Sequence, residues 1–485
     1  MKRILLGIII FLLAVQLLIA ALLGTQLGSR WLLQRALPLV PGNLQVEQIN
    51  GTLLEGIAVK KLSYQLNDLS ITLANGSIAI NSSRLWQGWL EAEYLYLDQL
   101  HISLPPSDPA KKEPFSLPTN LYPPFGFAIT RAQLQGFYLH QQDKTLLQLD
   151  QISLADAAMR LDLTLAKLSV QQQQQQASVT DLQLKLSAPY AVAAQLQWQA
   201  ELAELKDWLG DSHLSGQATL AGSLENLVVD HQLNTPQKIT SHVKVAPFSA
   251  EHDFSSAHQW QDLLITLADQ RTVALQAGTL KLDANKGDVS LSAQTNVTLE
   301  NIIKSRVNIT AQGDWQHARV LRINSDSKEN ELNINGEVRW LPEIAFNLIA
   351  EGKRLNPAMI SPQLPGSINV SGNVQGQRKE VVKSGSKEKP EHAWHINADT
   401  VRVTGLLRDL PITASLNAAL AGDLFSLHGE LDYDQNRVIV DGRINHSIDI
   451  RSQLQLTNPD SLVAGLTGSA TVDFHLHGSR SQPLL

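Results

Sequence analysis

Three groupings in this sequence have residue types and spacings that could do chemistry. Asp432-x-Asp434-x-Asn436 opens like a calcium-binding loop, where oxygen ligands alternate along the chain. Arg437 stands where that loop needs glycine, and Arg443 takes the place of the bidentate acid. A hairpin tip ahead of Val438 is the reading these residues favour. His475 and His477 share one strand face, but no third ligand is near in sequence, so they read as surface histidines. Trp86 and Trp89 flank Gly88 and are expected to pack at a rim or in a core rather than stack on a ligand. No phosphate-binding loop, zinc helix or nucleophile elbow occurs. The absence of cysteine removes thiolate metal sites, disulfides and cysteine nucleophiles together. No catalytic residue, metal site or cofactor is assigned, and no enzyme is expected.

With little chemistry to position, the elements themselves carry the reading. The 485 residues are enough for several domains or one extended repeat architecture, and 43% hydrophobic against 18% charged is the balance of a folded chain. A net charge of -7 gives no concentrated cationic surface, so nucleic acid is not an expected partner.

Lys2 and Arg3 precede an apolar run from Ile4 to Leu23, including Leu5, Phe11 and Leu12, whose polarity is broken only by Gln16. As a helix this run reaches about 30 Å, one hydrocarbon core. It is longer than the apolar region of most signal peptides, although Ala20 and Ala21 leave a cleavage site open. The basic head should stay in the cytoplasm, which places everything after Leu23 outside. Between residues 24 and 42, Trp31, Leu32, Leu33, Ala36 and Leu37 alternate with Arg30, Gln34 and Arg35, as in a juxtamembrane segment lying at the headgroup surface. No second segment is long and apolar enough to span.

Beyond residue 43 the dominant signal is period-two alternation, and the expected fold class is mainly β. Leu69, Ile71 and Leu73 alternate with Ser70 and Thr72. Leu161, Leu163 and Leu165, then Leu182, Leu184 and Leu186, and later Val438 and Val440, repeat the pattern. A strand so composed has one greasy and one wet side. Asn75-Gly76, Ala221-Gly222, Gly313-Asp314, Asn335-Gly336 and Asp441-Gly442 predict turns between strands. Helical spacing is confined to Ala200–Leu209 and His258–Leu267. A Pro-rich linker over 104–127 carries seven prolines, Gln171–Gln176 reads as a polar loop, and Gln375–Glu391 as a charged mobile loop. The expected organisation is a cytoplasmic tail (1–3), an anchor (4–23), a juxtamembrane segment (24–42), a first β segment (43–103) and the linker. Groove repeats follow over 128–374 and 392–485, on either side of the charged loop.

Gly216–Gly222, Gly366–Gly372 and Gly468–Gly478 each place a strand between glycines, which suggests an array of stacked strands. The third runs into Pro483-Leu484-Leu485 with no terminal cap, so more of the same architecture is expected to follow.

Val40-Pro41-Gly42 leads into Gly51-Thr-Leu-Leu-Glu-Gly56-Ile-Ala-Val. Next come Leu62-Ser-Tyr64, Leu85-Trp86, Leu95-Tyr-Leu97-Asp-Gln-Leu100-His-Ile102, the Pro-rich break and a restart at Ile129-Thr-Arg-Ala132. This order resembles the N-terminal part of the TamB family, AsmA-like inner-membrane subunits of the translocation and assembly module of Gram-negative bacteria. The resemblance covers about the first 150 residues and continues beyond as a pattern. It implies a single-pass inner-membrane protein whose bulk lies in the periplasm. The implied fold is a U-shaped β-taco-like trough with its apolar face inward. At about 4.8 Å per stacked strand, roughly thirty strands would extend on the order of 140 Å. On that fold Leu69, Ile71, Leu73, Leu161, Leu163, Leu165, Leu182, Leu184, Leu186, Val438 and Val440 are expected to line a path for phospholipid acyl chains. A bridge serving phospholipid transport and outer-membrane protein assembly is implied; a packed-shut scaffold tethering two membranes is the alternative. The family's C-terminal domain, which contacts the outer-membrane barrel TamA, is not recognisable in this chain.

Overall fold

The computed structural model describes residues 21–36, 40–105, 118–142, 144–248, 253–267, 271–299, 303–327, 330–359, 363–381, 391–463, 465–479 and 482–484. Of the expected anchor residues, Ile4, Leu5, Phe11 and Leu12 lie outside these; Leu23 sits in a helical turn at 21–24. Among the described residues no helix is long and apolar enough to cross a membrane.

The chain divides into two units, Met1–Ala250 and Glu251–Leu485. The first opens with helix α1 (Gln26–Ala36) and the strands β1 (Asn43–Thr52), β2 (Gly56–Leu66), β3 (Leu69–Ile80) and β4 (Trp89–Leu104). It continues through β5 (Gly126–Gln141), β6 (Lys144–Met159), β7 (Asp162–Gln172) and β8 (Gln175–Lys185). Its last strands are β9 (Ala191–Glu201), β10 (His213–Ser223), β11 (Leu227–Thr235) and β12 (Ile239–Val245). Each strand of the unit pairs with its sequence neighbour, antiparallel except for parallel β4 and β5.

The second unit begins with β13 (Phe254–Thr266), β14 (Thr272–Asn285), β15 (Asp288–Leu299), β16 (Ile303–Gly313) and β17 (His317–Asp326). Then come β18 (Glu331–Arg339), β19 (Ala345–Leu355), β20 (Gly366–Val381), β21 (Glu391–Leu407) and β22 (Leu410–Ala421). It ends with β23 (Leu424–Tyr433), β24 (Asn436–Ile444), β25 (Ser447–Leu456), β26 (Ala470–Ser479) and β27 (Gln482–Leu484). This unit is antiparallel throughout, again in sequence order.

Many strands are not straight alternators. In β2 both Lys60 and Lys61 are exposed, and the half-buried positions change from Ile57 and Val59 to Leu62, Tyr64 and Leu66. Lys61 takes the left-handed φ of 47° that this inversion needs. The same break recurs at Gln99 (φ 54°) in β4 and Gly136 (φ 68°) in β5, where the ladder skips one pair. Asp156 in β6 and Asp181 in β8 form a second line with φ near 50°. These seams cross adjacent strands, and across them one side of the sheet stays apolar. In the second unit the freed amide is capped from the next strand. Arg354 N donates to Asn369 Oδ1 at 3.0 Å, and Thr400 N to Asn417 Oδ1 at 2.7 Å.

The seams explain one correction. His258–Leu267 is not helical: residues 254–266 are β13, whose half-buried positions step from Trp260 to Leu263 beside left-handed Ala277 of β14. A phase break of this kind imitates the three-residue spacing of a helix. Ala200–Leu209 is helical only from Ala203 onward, as a 3₁₀ turn and one α turn. Gln171–Gln176 is not a loop but a tight hairpin, Gln171 pairing Gln176 and Gln172 pairing Gln175. β20 runs on to Val381 and pairs β21 from Glu391, so 375–381 is strand; 382–390 lie outside the described residues.

Candidate functional site

Residues opposite one another in a ladder project to the same face, so the register decides what each face presents along the sheet. In the first unit one row contains Ile49, Val59, Gly76, Leu97, Leu134, Ile152, Val170, Ala177, Trp198, Gly216, Leu233 and Ile239, one from each strand. Not one member is polar apart from the indole N–H of Trp198. The second unit has its own row from β14 to β26: Leu282, Leu291, Ala311, Leu321, Gly336, Leu348, Val374, Ala398, Ala418, Leu427, Gly442, Ile450 and Leu476.

These rows account for three of the five expected turns. Asn75-Gly76, Asn335-Gly336 and Asp441-Gly442 lie inside β3, β18 and β24, where each glycine fills a slot of the apolar row. A Cβ on Gly76 would meet Leu73, Val59 and Leu97, and one on Gly442 would press on Ile450. At Gly76 and Gly442 glycine makes room for neighbouring side chains rather than for a turn, and at Gly336 for the backbone of Asn347 and Leu348. Aromatic rings use the same device. Trp198, Trp260 and Phe346 lie opposite Gly216, Gly278 and Gly376 and cover them, so that a methyl group there would overlap the ring.

Most of the expected lining residues fall on this face. Leu69, Ile71 and Leu73 pair with Leu66, Tyr64 and Leu62, and Leu163 and Leu165 with Leu184 and Leu182. Val438 stands between Leu431 and Leu454, whereas Val440 stands between Gly429 and Ser452. Two residues differ. Leu161 is in the β6–β7 turn and 63% exposed. Leu186 lies past the end of β8 and is 2% exposed because residues 118–121 fold over it. Leu121 N donates to its carbonyl at 2.8 Å, and the nearby Tyr190 hydroxyl donates to the Pro118 carbonyl. That covering is a local plug, invisible to alternation.

Few side chains of the apolar face are fully buried; Leu73, Leu165, Ala194, Leu214 and Ala218 are among them, while most remain half-buried. Such exposure fits a single layer of sheet, since a face sealed by a second layer would be close-packed. The face also carries polar aromatic groups that sequence reading missed. Trp198 Nε1 donates to His231 Nε2 at 3.1 Å, and the rings stack. His258 of β13, opposite Leu280 of β14, is held by burial below the usual imidazole range, which favours the neutral form. The hydrophilic face holds a depression of about 450 Å³ lined by Lys167, Gln176, Gln197, Gln199, Gln217 and Asn234. Amides dominate it, beside the hydroxyls of Ser178 and Ser215.

The calcium-like grouping resolves into a staple. Asn436, 4% exposed, donates to the Asn458 carbonyl (2.9 Å) and Ser461 Oγ (2.8 Å), and its Oδ1 accepts from Thr457 N and Asn458 N. Asp434 accepts from Asn458 Nδ2 at 2.8 Å. The motif pins the β25–β26 connection to the β23–β24 hairpin tip, as its position before Val438 implies. Asn436→Ala is expected to lower stability by about 1–3 kcal/mol by stranding these groups, and hydrogen exchange should show residues 457–463 opening first. His475 is bonded to Asp449 at 2.6 Å and meets His477 edge to face. The Asp449 carboxyl lies below its usual range, chiefly through the His475 bond. Among the described residues no group of three or more His, Asp or Glu could hold a metal ion. Trp86 is 94% exposed on a 3₁₀ turn, whereas Trp89 covers Gly126 and lies beneath Arg84 and Arg160.

No solved structure matches this chain. The family model described as TamB, N-terminal domain, matches residues 15–155 and 124–485. Those overlapping matches take in both units and nearly the whole length, so the chain belongs to the TamB family.

Proposed function

We propose that this protein is an inner-membrane-anchored periplasmic bridge whose apolar sheet face carries phospholipid acyl chains between the two membranes. In this reading it supports outer-membrane protein assembly, together with a TamA-like barrel contacted through a region beyond the segments described. The observation that carries the proposal is the apolar row across β1–β12 in the first unit and β14–β26 in the second, whose side chains are left half-buried. Each methylene sheltered there is stabilised by about 0.8 kcal/mol relative to water, so a continuous face can hold a chain with no selective pocket. The amphipathic helix after Leu23 and the family membership support the anchor.

Photo-crosslinking in cells from Leu163, followed by mass spectrometry of the adducts, tests the cargo. Phospholipid adducts at Leu163 and none at the opposite-facing Thr164 are expected. A folded, membrane-bound protein with adducts at neither position would favour the scaffold that only tethers two membranes.

A further inference from the structure

The strongest feature outside the apolar rows is the joint between the helical segment and the first hairpin. The turn at 21–24 stops at Thr25, and the chain folds back so tightly that a Cβ on Gly28 would strike the backbone of Ala21 and Leu22. A helix that stops leaves its last carbonyls without partners. Here the sheet supplies one. Leu54 N, at the tip between β1 and β2, donates to the Leu23 carbonyl at 3.2 Å. Ser29, 1% exposed, donates from Oγ to the same carbonyl at 3.0 Å and accepts from Leu53 N at 2.9 Å. The Ser29 hydroxyl, together with the Leu54 N–H bond, therefore latches the helical corner to the hairpin tip.

Exposed apolar side chains flank the same joint. Leu27 (84% exposed) and Trp31 (52%) stand one helical turn apart on α1, on the side away from Ser29, and Leu54 is also partly exposed. Arg30 is exposed on α1, and Arg35 lies over the Trp31 ring at 5.8 Å. Tryptophan and aliphatic groups beside arginine match the boundary between acyl chains and anionic headgroups. The apolar run of the sequence ends at Leu23, the residue whose carbonyl the hairpin tip caps.

We propose that α1 and the β1–β2 tip form one interfacial foot that docks on an anionic phospholipid surface, with Leu27, Trp31 and Leu54 inserted and Ser29 holding the two parts together. The end of the sheet formed by the β1–β2 turn then lies at the bilayer itself. This inference rests on the anchor in the proposed function but not on lipid being the cargo.

Because the chain has no cysteine, single labels are clean. The full chain carrying an environment-sensitive fluorophore at Leu27→Cys, Leu54→Cys or, as a control on the hydrophilic face, Thr72→Cys would be reconstituted in vesicles of phosphatidylethanolamine and phosphatidylglycerol. The vesicles contain a nitroxide lipid labelled near its headgroup. Quenching at 27 and 54 should exceed that at 72 severalfold. Adding Ser29→Ala should return position 54 towards the control while position 27 stays quenched. Protein that floats with the vesicles while position 54 remains at control level would overturn the foot and leave the anchor standing. Failure to float would overturn both.

Discussion

Leu134→Arg is expected to slow phospholipid passage by about a hundredfold, while Gln133→Arg on the other face leaves it unchanged. Leu134 sits mid-row in β5 between Leu97 and Ile152. An acyl chain moving along that row would meet a guanidinium in hydrocarbon surroundings. Placing such a charge in a lipid interior costs about 2.5–3.5 kcal/mol on insertion scales. At about 1.4 kcal/mol per factor of ten, that becomes roughly a hundredfold in rate. Folding should survive, because Leu134 is only half-buried and a long cationic side chain can turn its head towards water. Transfer of labelled phospholipid between membranes gives the rate, and protease resistance of the purified full chain reports folding. Equal rates for the two variants and the parent, with folding intact, would mean that lipid does not pass Leu134, and would return the scaffold reading.

Alternation was legible because a single layer of sheet keeps its two faces chemically distinct for runs of several residues, as in Leu69–Leu73 and Leu182–Leu184. What stayed hidden is what neighbouring strands decide. Asp441-Gly442 has the composition of a turn, and only the presence of Ile450 on the next strand shows why glycine is needed within β24. Trp260 and Leu263 have helical spacing until the left-handed residue of the adjoining strand is seen. The parallel pairing of β4 with β5 depends on a connection that begins and ends at opposite ends of the strands, which composition alone does not encode. The same limit applies to the lining. Leu163 and Leu184 could each be named from their own strands, but the continuous row across the first unit is a property of register. Leu161 and Leu186 differ from their neighbours because of a turn and a covering segment beyond the reach of period two.

Register in turn depends on the seams, which makes the second large effect structural. Gly136→Val is expected to destabilise the first unit by about 3 kcal/mol. Its left-handed φ of 68° costs an L-residue about 1–2 kcal/mol, and more when the side chain is β-branched. A Cβ would also come within 2.8 Å of Gln99 Nε2 and 3.1 Å of Gln99 Cδ, and such overpacking adds about 1–3 kcal/mol unless the amide moves. Gln99→Ala should therefore recover part of the loss in Gly136→Val, the part due to crowding, and leave the backbone part. Asp181→Gly is the matched test at the second seam. There φ is 52° and glycine carries no penalty for a left-handed backbone, so urea unfolding of the full chain should show little change or a small gain. Loss at Gly136 and tolerance at Asp181 would tie the seams to backbone handedness. That handedness lets Leu134 and Phe137, three residues apart, both serve the apolar face; without it one of them would turn outward and break the row.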